Sequence, residues 1–200
     1  MKIKNSIFLA GVVFLSSCEI PGAVLSTPAL PAADATRPAE ISSGCISPDP
    51  AQDDIDRALG FTDDIFSGSD WARSYTVESS RVFVTFAADP LSAIAFVEAL
   101  IFPCGYGEPD LDAFFNGENW RVIFENYESY QAASECKSGE SLRLYQFDAV
   151  DEGYEYKINY WALNDTDTRV MGLMIVFLAE SKPLMDDYSF ALFPELASCK

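Results

Sequence analysis

Ser134 stands three residues before Lys137, and Lys137-Ser138-Gly139 follows at once. A serine and a lysine at that spacing can act as nucleophile and base, provided the serine opens a helix. Here Ser134 falls by a predicted strand end, both motifs share Lys137, and Cys136 between them is expected in a disulfide, so the match reads as chance. Asp165-Thr166-Asp167 begins like a calcium loop, yet Val170 and Val176 occupy the positions that need glycine and glutamate. A turn capped by Asx side chains is expected there, with a looser calcium site as the lesser alternative. Carboxylates recur in pairs, at Asp53/Asp54, Asp63/Asp64, Asp110/Asp112 and Asp186/Asp187. Hydrolysis by two carboxylates needs them about 5–10 Å apart across a cleft. With 31 acidic residues, proximity in sequence selects no such pair. No catalytic residue, metal ligand or cofactor is therefore assigned, and a carboxylate-dependent hydrolase stands as the alternative to a binding protein.

Charge narrows the classes further. Thirteen basic residues against 31 acidic ones give −18, and there is no histidine. Nucleic-acid binding through a basic patch is excluded, as are histidine-based triads and histidine metal cages. The acidity reads as a solvated surface that favours solubility.

The aromatic residues carry more information. Tyr145, Phe147, Tyr154, Tyr156, Tyr160 and Trp161 fall on adjacent predicted strands. On an uncovered sheet face such rings would form a platform for sugar, peptide or lipid; under helices they would be core. Core is the favoured reading. Alternation sets Tyr154, Tyr156, Ile158 and Tyr160 on one face and Glu155, Lys157 and Asn159 on the other. Trp161 thus faces away from the tyrosines and is the best candidate for an exposed binding ring, with Tyr154, Tyr156 and Tyr160 as further candidates.

These side chains are positioned by a folded unit expected over residues 52–200, long enough for one core without a staple. Asp53 to Leu59 predicts a short helix, capped by Asp53 or Asp54 and stopped by Gly60. Residues 71–87 read as extended, with a turn or bulge at Ser79-Ser80. Asp89-Pro90 then signals a helix start, and residues 90–102, polar only at Ser92 and Glu98, predict a buried central helix ended by Pro103. Asp110 to Phe115 suggests another short helix, and 118–127 is ambiguous. Strands are expected at 129–135, 141–149, 154–163 and 169–179, with turns at Gly139, Asp151-Glu152-Gly153 and Asn164–Thr168. Pro183 to Leu196 predicts an amphipathic helix with Leu184, Tyr188, Ala191, Leu192 and Leu196 inward. The sum is an α+β unit: an antiparallel sheet of four to six strands with helices on one face. In element order it is similar to Mog1/PsbP-like folds, and less closely to cystatin-like or NTF2-like ones.

The first residues concern the address. Lys2 and Lys4 precede nine uncharged residues, Ile7 to Leu15, too few to span a bilayer. Leu15-Ser16-Ser17-Cys18 follows and resembles the lipobox of bacterial lipoproteins. The resemblance implies a signal peptide at 1–17, cleavage before Cys18 and a diacylglyceryl group on its sulfur, with a third chain (such as palmitate) on its amine in many bacteria. It places the protein in the cell envelope, lipid-anchored and facing away from the cytoplasm. Several acyl chains hold far better than one, at about 0.8 kcal/mol per buried methylene. Loss of Lys2 and Lys4 leaves 11 basic residues and a net charge of −20, which anionic headgroups repel.

Residues 18–51 hold six of the eleven prolines and read as a tether; its ~33 residues would reach about 30–35 Å as a coil. Cys45, Cys104, Cys136 and Cys199 remain for two disulfides, in any of three pairings; Cys104–Cys136 and Cys45–Cys199 are the expected ones. The expected function is a lipid-anchored binding or envelope-assembly module whose partner is a protein, peptide or glycan and not nucleic acid.

Overall fold

A computed structural model describes residues 49–62, 64–68, 70–79, 81–105, 115–197 and 199. The signal and lipidation site, the tether up to residue 48, Cys45 and most of the proposed 110–115 helix lie outside the described residues. Seven strands form one antiparallel sheet. In chain order they are β1 Ala72–Glu78, β2 Arg81–Ala88, β3 Ala93–Ile101, β4 Ser129–Ser138, β5 Leu142–Asp151, β6 Tyr154–Thr166 and β7 Arg169–Leu178. Their spatial order is β1-β2-β3-β7-β6-β5-β4, so the two hairpin-linked halves meet where β3 pairs with β7. Among the described residues the α-helices are α1 Gln52–Leu59, α2 Gly117–Ile123 and α3 Lys182–Leu192. The class is α+β. Among the described residues no helix is long and apolar enough to cross a membrane.

The seventh strand comes from the segment expected to be a central helix. Asp89-Pro90-Leu91 makes one 3-10 turn, which ends at Ser92 in the left-handed region at φ 48°. Residues 93–101 then extend as β3, buried on both faces. An unbroken apolar run fits a buried helix and a doubly covered strand equally well. Ile94, Phe96, Val97 and Ile101 supply the β-branched and aromatic bulk that suits a strand.

Helices cover both faces, not one. Ala58 of α1, Met185 of α3 and Leu196 of the 3-10 turn Pro194–Leu196 pack with Val82, Val84, Val97, Trp161, Leu173 and Ile175. On the opposite face Trp120 of α2 and the adjoining Phe115 and Phe124 pack with Tyr145, Phe147, Ile158 and Tyr160. Asn116 caps α2, its carboxamide oxygen accepting from the Glu118 and Asn119 N–H groups. In α1, Asp54 is not the N-cap but reaches back to accept the Ala51 N–H at 2.9 Å. In α3, Leu184, Tyr188 and Leu192 pack inward as expected, whereas Ala191 is exposed and Met185 and Ser189 take the most buried places.

The β5–β6 hairpin turns on Glu152-Gly153, both at positive φ (49° and 79°), the two-residue geometry that matches strand twist. The two sheet edges differ. β1 is exposed along its whole length. β4 carries a bulge between Ala132 and Ser134 and is joined by the Cys136–Cys199 disulfide to the segment that follows α3.

Candidate functional site

On the face covered by α1 and α3, three polar residues stand directly opposite one another across neighbouring strands. Ser134 of β4 pairs in register with Gln146 of β5, and Gln146 with Asn159 of β6. The bulge creates this row, because it carries Ser134 rather than Ala133 opposite Gln146. Ser134 Oγ donates to Gln146 Oε1 at 2.5 Å, and Gln146 Nε2 donates to Asn159 Oδ1 at 3.1 Å. Asn159 Nδ2 donates to Ser189 Oγ of α3 at 2.9 Å, and Ser189 Oγ donates to the Met185 carbonyl at 2.8 Å. The ladder thus crosses three strands and ends in a helix. Asn159 and Ser189 are buried, where an unpaired polar group would cost about 1–3 kcal/mol.

The ladder floors a groove of about 350 Å³ whose lining includes Ser134, Gln146, Asp148, Lys157, Asn159 and Lys182. A smaller cleft of about 30 Å³ shares Gln146, Asn159 and Cys199 with it and is also lined by Trp161, Asp186 and Ser189. At the rim Lys157 pairs with Asp148 at 2.7 Å and Lys182 with Asp186 at 2.6 Å. Both pairs are solvent-exposed and hold their partners weakly. The Cys136–Cys199 disulfide brings Cys199 to the lining. It replaces both expected pairings, Cys104–Cys136 and Cys45–Cys199. Cys136 sits on the covered side of an edge strand beside the C-terminal segment, a proximity that depends on sheet register and not on spacing in the chain. Cys104 is disulfide-bonded as well.

The expected aromatic platform is divided by burial. Trp161 lies opposite the tyrosines as alternation requires, but its ring is 1% exposed and sits 5.5 Å from the Phe193 ring. Phe193, at the end of α3, covers the face on which an open ring was expected. Trp161 Nε1 is buried and has no hydrogen-bond acceptor among the described residues. Tyr160 is buried under Trp120 and donates to Glu98 Oε1 at 2.5 Å. Burial and then the Glu98 charge raise the Tyr160 phenol well above its ordinary value. Tyr156 is half-buried against Tyr127, whose own phenol is pushed up to about 12 chiefly by burial. Tyr154 alone of the four is open, at 59% exposure.

The sequence motifs resolve into structural contacts. Ser134 and Lys137 lie on β4 and not at a helix start, and the Ser134 hydroxyl serves the ladder. Asp165 accepts from Arg57 Nε at 2.9 Å and from Arg169 Nε at 2.7 Å, which leaves its carboxylate bound to guanidinium groups. Arg169 also reaches Asp53 at 3.0 Å and Asp54 at 2.8 Å. Burial by itself would raise the Asp165 carboxyl, but the hydrogen bonds from Arg57 and Arg169 outweigh it and hold the carboxyl below its usual range. Among the described residues no three His, Cys, Asp or Glu side chains gather as metal ligands.

Gln146, Asn159 and Ser189 are the residues that sequence reasoning overlooked. Their signal was a polar side chain on a strand face that elsewhere carries Leu142, Leu144, Trp161 and Leu163. No family model matches this sequence, and no curated protein is similar enough to match.

Proposed function

We propose that the protein is a lipid-anchored binding module of the cell envelope, which takes its ligand in the groove between β4–β6 and α3. The groove carries this reading: a concavity of about 350 Å³ over buried, oriented polar groups. It is near the lower end of the size range for small-ligand sites, about 300–1,000 Å³. The anchor rests on the Leu15-Ser16-Ser17-Cys18 lipobox resemblance and the proline-rich stretch behind it, which would hold a strongly acidic body off the headgroups. Within α+β architectures, the order of a hairpin, an antiparallel meander and a closing helix is similar to Mog1/PsbP-like folds; that likeness speaks to shape and not to activity. Of the paired carboxylates, Asp53 and Asp54 are engaged by Arg169, as is Asp165.

Fractionation of cells expressing Cys18→Ala tests the anchor. The variant is expected in the soluble fraction, and retention in the membrane would contradict lipidation. The groove is tested by ligand-induced shifts in the NMR signals of Gln146, Asn159 and Trp161.

A further inference from the structure

The direction of the ladder is fixed by one atom. The Met185 carbonyl can only accept, so the Ser189 hydroxyl proton is committed to it at 2.8 Å. Ser189 must then accept from Asn159, which turns the Asn159 carboxamide so that its NH2 faces Ser189 and its oxygen faces Gln146. The same logic turns Gln146, whose oxygen is taken by Ser134. Each side-chain carbonyl accepts one bond inside the ladder, Gln146 Oε1 from Ser134 and Asn159 Oδ1 from Gln146. Each primary amide has two N–H groups and spends one of them, so the second N–H of Gln146 and of Asn159 has no acceptor among the described residues.

Trp161 adds a third donor by an independent observation. Its Nε1–H is buried without an acceptor among the described residues, and Trp161 lines the same cleft as Gln146, Asn159 and Ser189. An indole N–H in a buried site normally has a partner. Three residues with an N–H to spare therefore line one cleft, Gln146, Asn159 and Trp161. The Lys182 ammonium lines the same groove, exchangeable from its exposed partner Asp186. This is a donor-rich locus in a chain of net charge −18.

We propose that the groove recognises a carboxylate: its oxygens accept from Trp161 Nε1, Gln146 Nε2 and Asn159 Nδ2, and Lys182 offsets its charge. The inference rests on the groove's being the binding site and names the chemistry of its occupant. Charge-assisted hydrogen bonds of this kind are about twice as strong as neutral ones. A cleft of about 30 Å³ admits a carboxylate head but not a ring, while the wider groove leaves room for the rest of the molecule. The carboxylate could belong to a small free acid or to the end of a peptide.

The test is a titration of the purified full chain, 15N-labelled and followed by NMR at the Trp161 indole and the Gln146 and Asn159 side-chain amides. Four probes are used at millimolar concentration: acetate, N-acetyl-dialanine with a free C-terminus, the same peptide as its C-terminal amide, and n-butylamine. The two carboxylates are expected to shift all three signals, with the amide and the amine weaker by about tenfold or more. Acetate binding as well as the free peptide points to small acids, and a clear preference for the peptide points to chain ends. Gln146→Glu, which replaces a donor by a negative acceptor, is expected to weaken carboxylate binding by about tenfold or more with the backbone spectrum preserved. Tyr154→Ser, at an exposed position outside the lining of the groove and the cleft, is expected to retain it. Equal binding of the amide or the amine would overturn the carboxylate assignment while leaving the groove as the site. No response from any probe would overturn both.

Discussion

Two polar networks cross the sheet, one on each face, and they differ in how they end. Under α2, Tyr160 donates to Glu98 across β7, and Arg81 approaches the other Glu98 oxygen at 3.8 Å. Phenol, carboxylate and guanidinium close on one another. Gly172 makes this possible: it pairs with Glu98 on one side and Ala162 on the other, and a Cβ there would lie 2.5 Å from Tyr160 Oη and 2.8 Å from Glu98 Cγ. On the opposite face the Ser134–Gln146–Asn159–Ser189 ladder runs in one direction and leaves N–H groups over beside a groove. The first network closes within the chain, and the second is the one proposed to meet a ligand. Burial of polar groups alone does not mark a binding site; hydrogen-bonding capacity left unused beside a concavity is the stronger sign.

The largest expected effect lies in the closed network. Gly172→Ala should remove about 3 kcal/mol or more, by forcing a methyl group against Tyr160 and parting it from Glu98. A urea midpoint close to that of the parent protein would show that the two side chains do not meet over Gly172. Next is the disulfide at the groove's end. Replacing Cys136 and Cys199 together by Ala should cost about 2–4 kcal/mol, given a separation of 63 residues. Peptide mapping without reduction should recover these two cysteines linked, and a Cys104–Cys136 peptide would contradict the structure.

The open network should be more tolerant. Asn159→Leu is expected to cost about 2 kcal/mol, since it strands an N–H of Gln146 and takes from the Ser189 oxygen the N–H it accepts. Gln146→Leu should cost about 1 kcal/mol, because Gln146 is only half-buried. Reversal of that order would mean that the inner end of the ladder is not its anchor. Tyr154→Ser, at an open position of the same strand, should fall within about 0.5 kcal/mol of the parent.

The dependence on pH sharpens the same contrast. Tyr160 has its pKa raised in the folded chain, so above the unfolded tyrosine value of about 10 the unfolded state releases a proton that the folded state retains, and stability falls as pH climbs. Asp165 has its pKa lowered, so its contribution is present above the unfolded carboxyl value of about 3.9 and is lost as pH falls through the folded one. Tyr160→Phe should flatten the alkaline limb and Asp165→Asn the acid one. Limbs unchanged by these variants would contradict the stated environments.

Much of the sheet was legible from alternation. β4 to β7 fall where Tyr130, Leu144, Tyr156–Tyr160 and Val170–Leu178 set a period of two or a long apolar run, and Glu152-Gly153 marks its hairpin without ambiguity. β3 was not legible, because a segment buried on both faces loses the periodicity that separates helix from strand. Covering helices on both faces were missed for a related reason: α2 is seven residues long and its anchors, Phe115, Trp120 and Phe124, are scattered through an ambiguous stretch. The groove was half visible. Trp161 was rightly placed opposite the tyrosines, but Asn159 passed as one of a polar row with Glu155 and Lys157. Its partner Ser189 lies 30 residues away, and Ser134 joins the row only through a bulge. Register and bulges are long-range properties, and no local pattern reports them.

A crystal structure at atomic resolution of the chain soaked with the free-carboxylate peptide would test the donor-rich groove most directly. The expected result is carboxylate density within about 3 Å of Trp161 Nε1 and of the second N–H groups of Gln146 and Asn159, with the Ser189 hydroxyl still donating to the Met185 carbonyl. A Trp161 indole donating to a protein atom, or amides turned so that their oxygens face the groove, would contradict it.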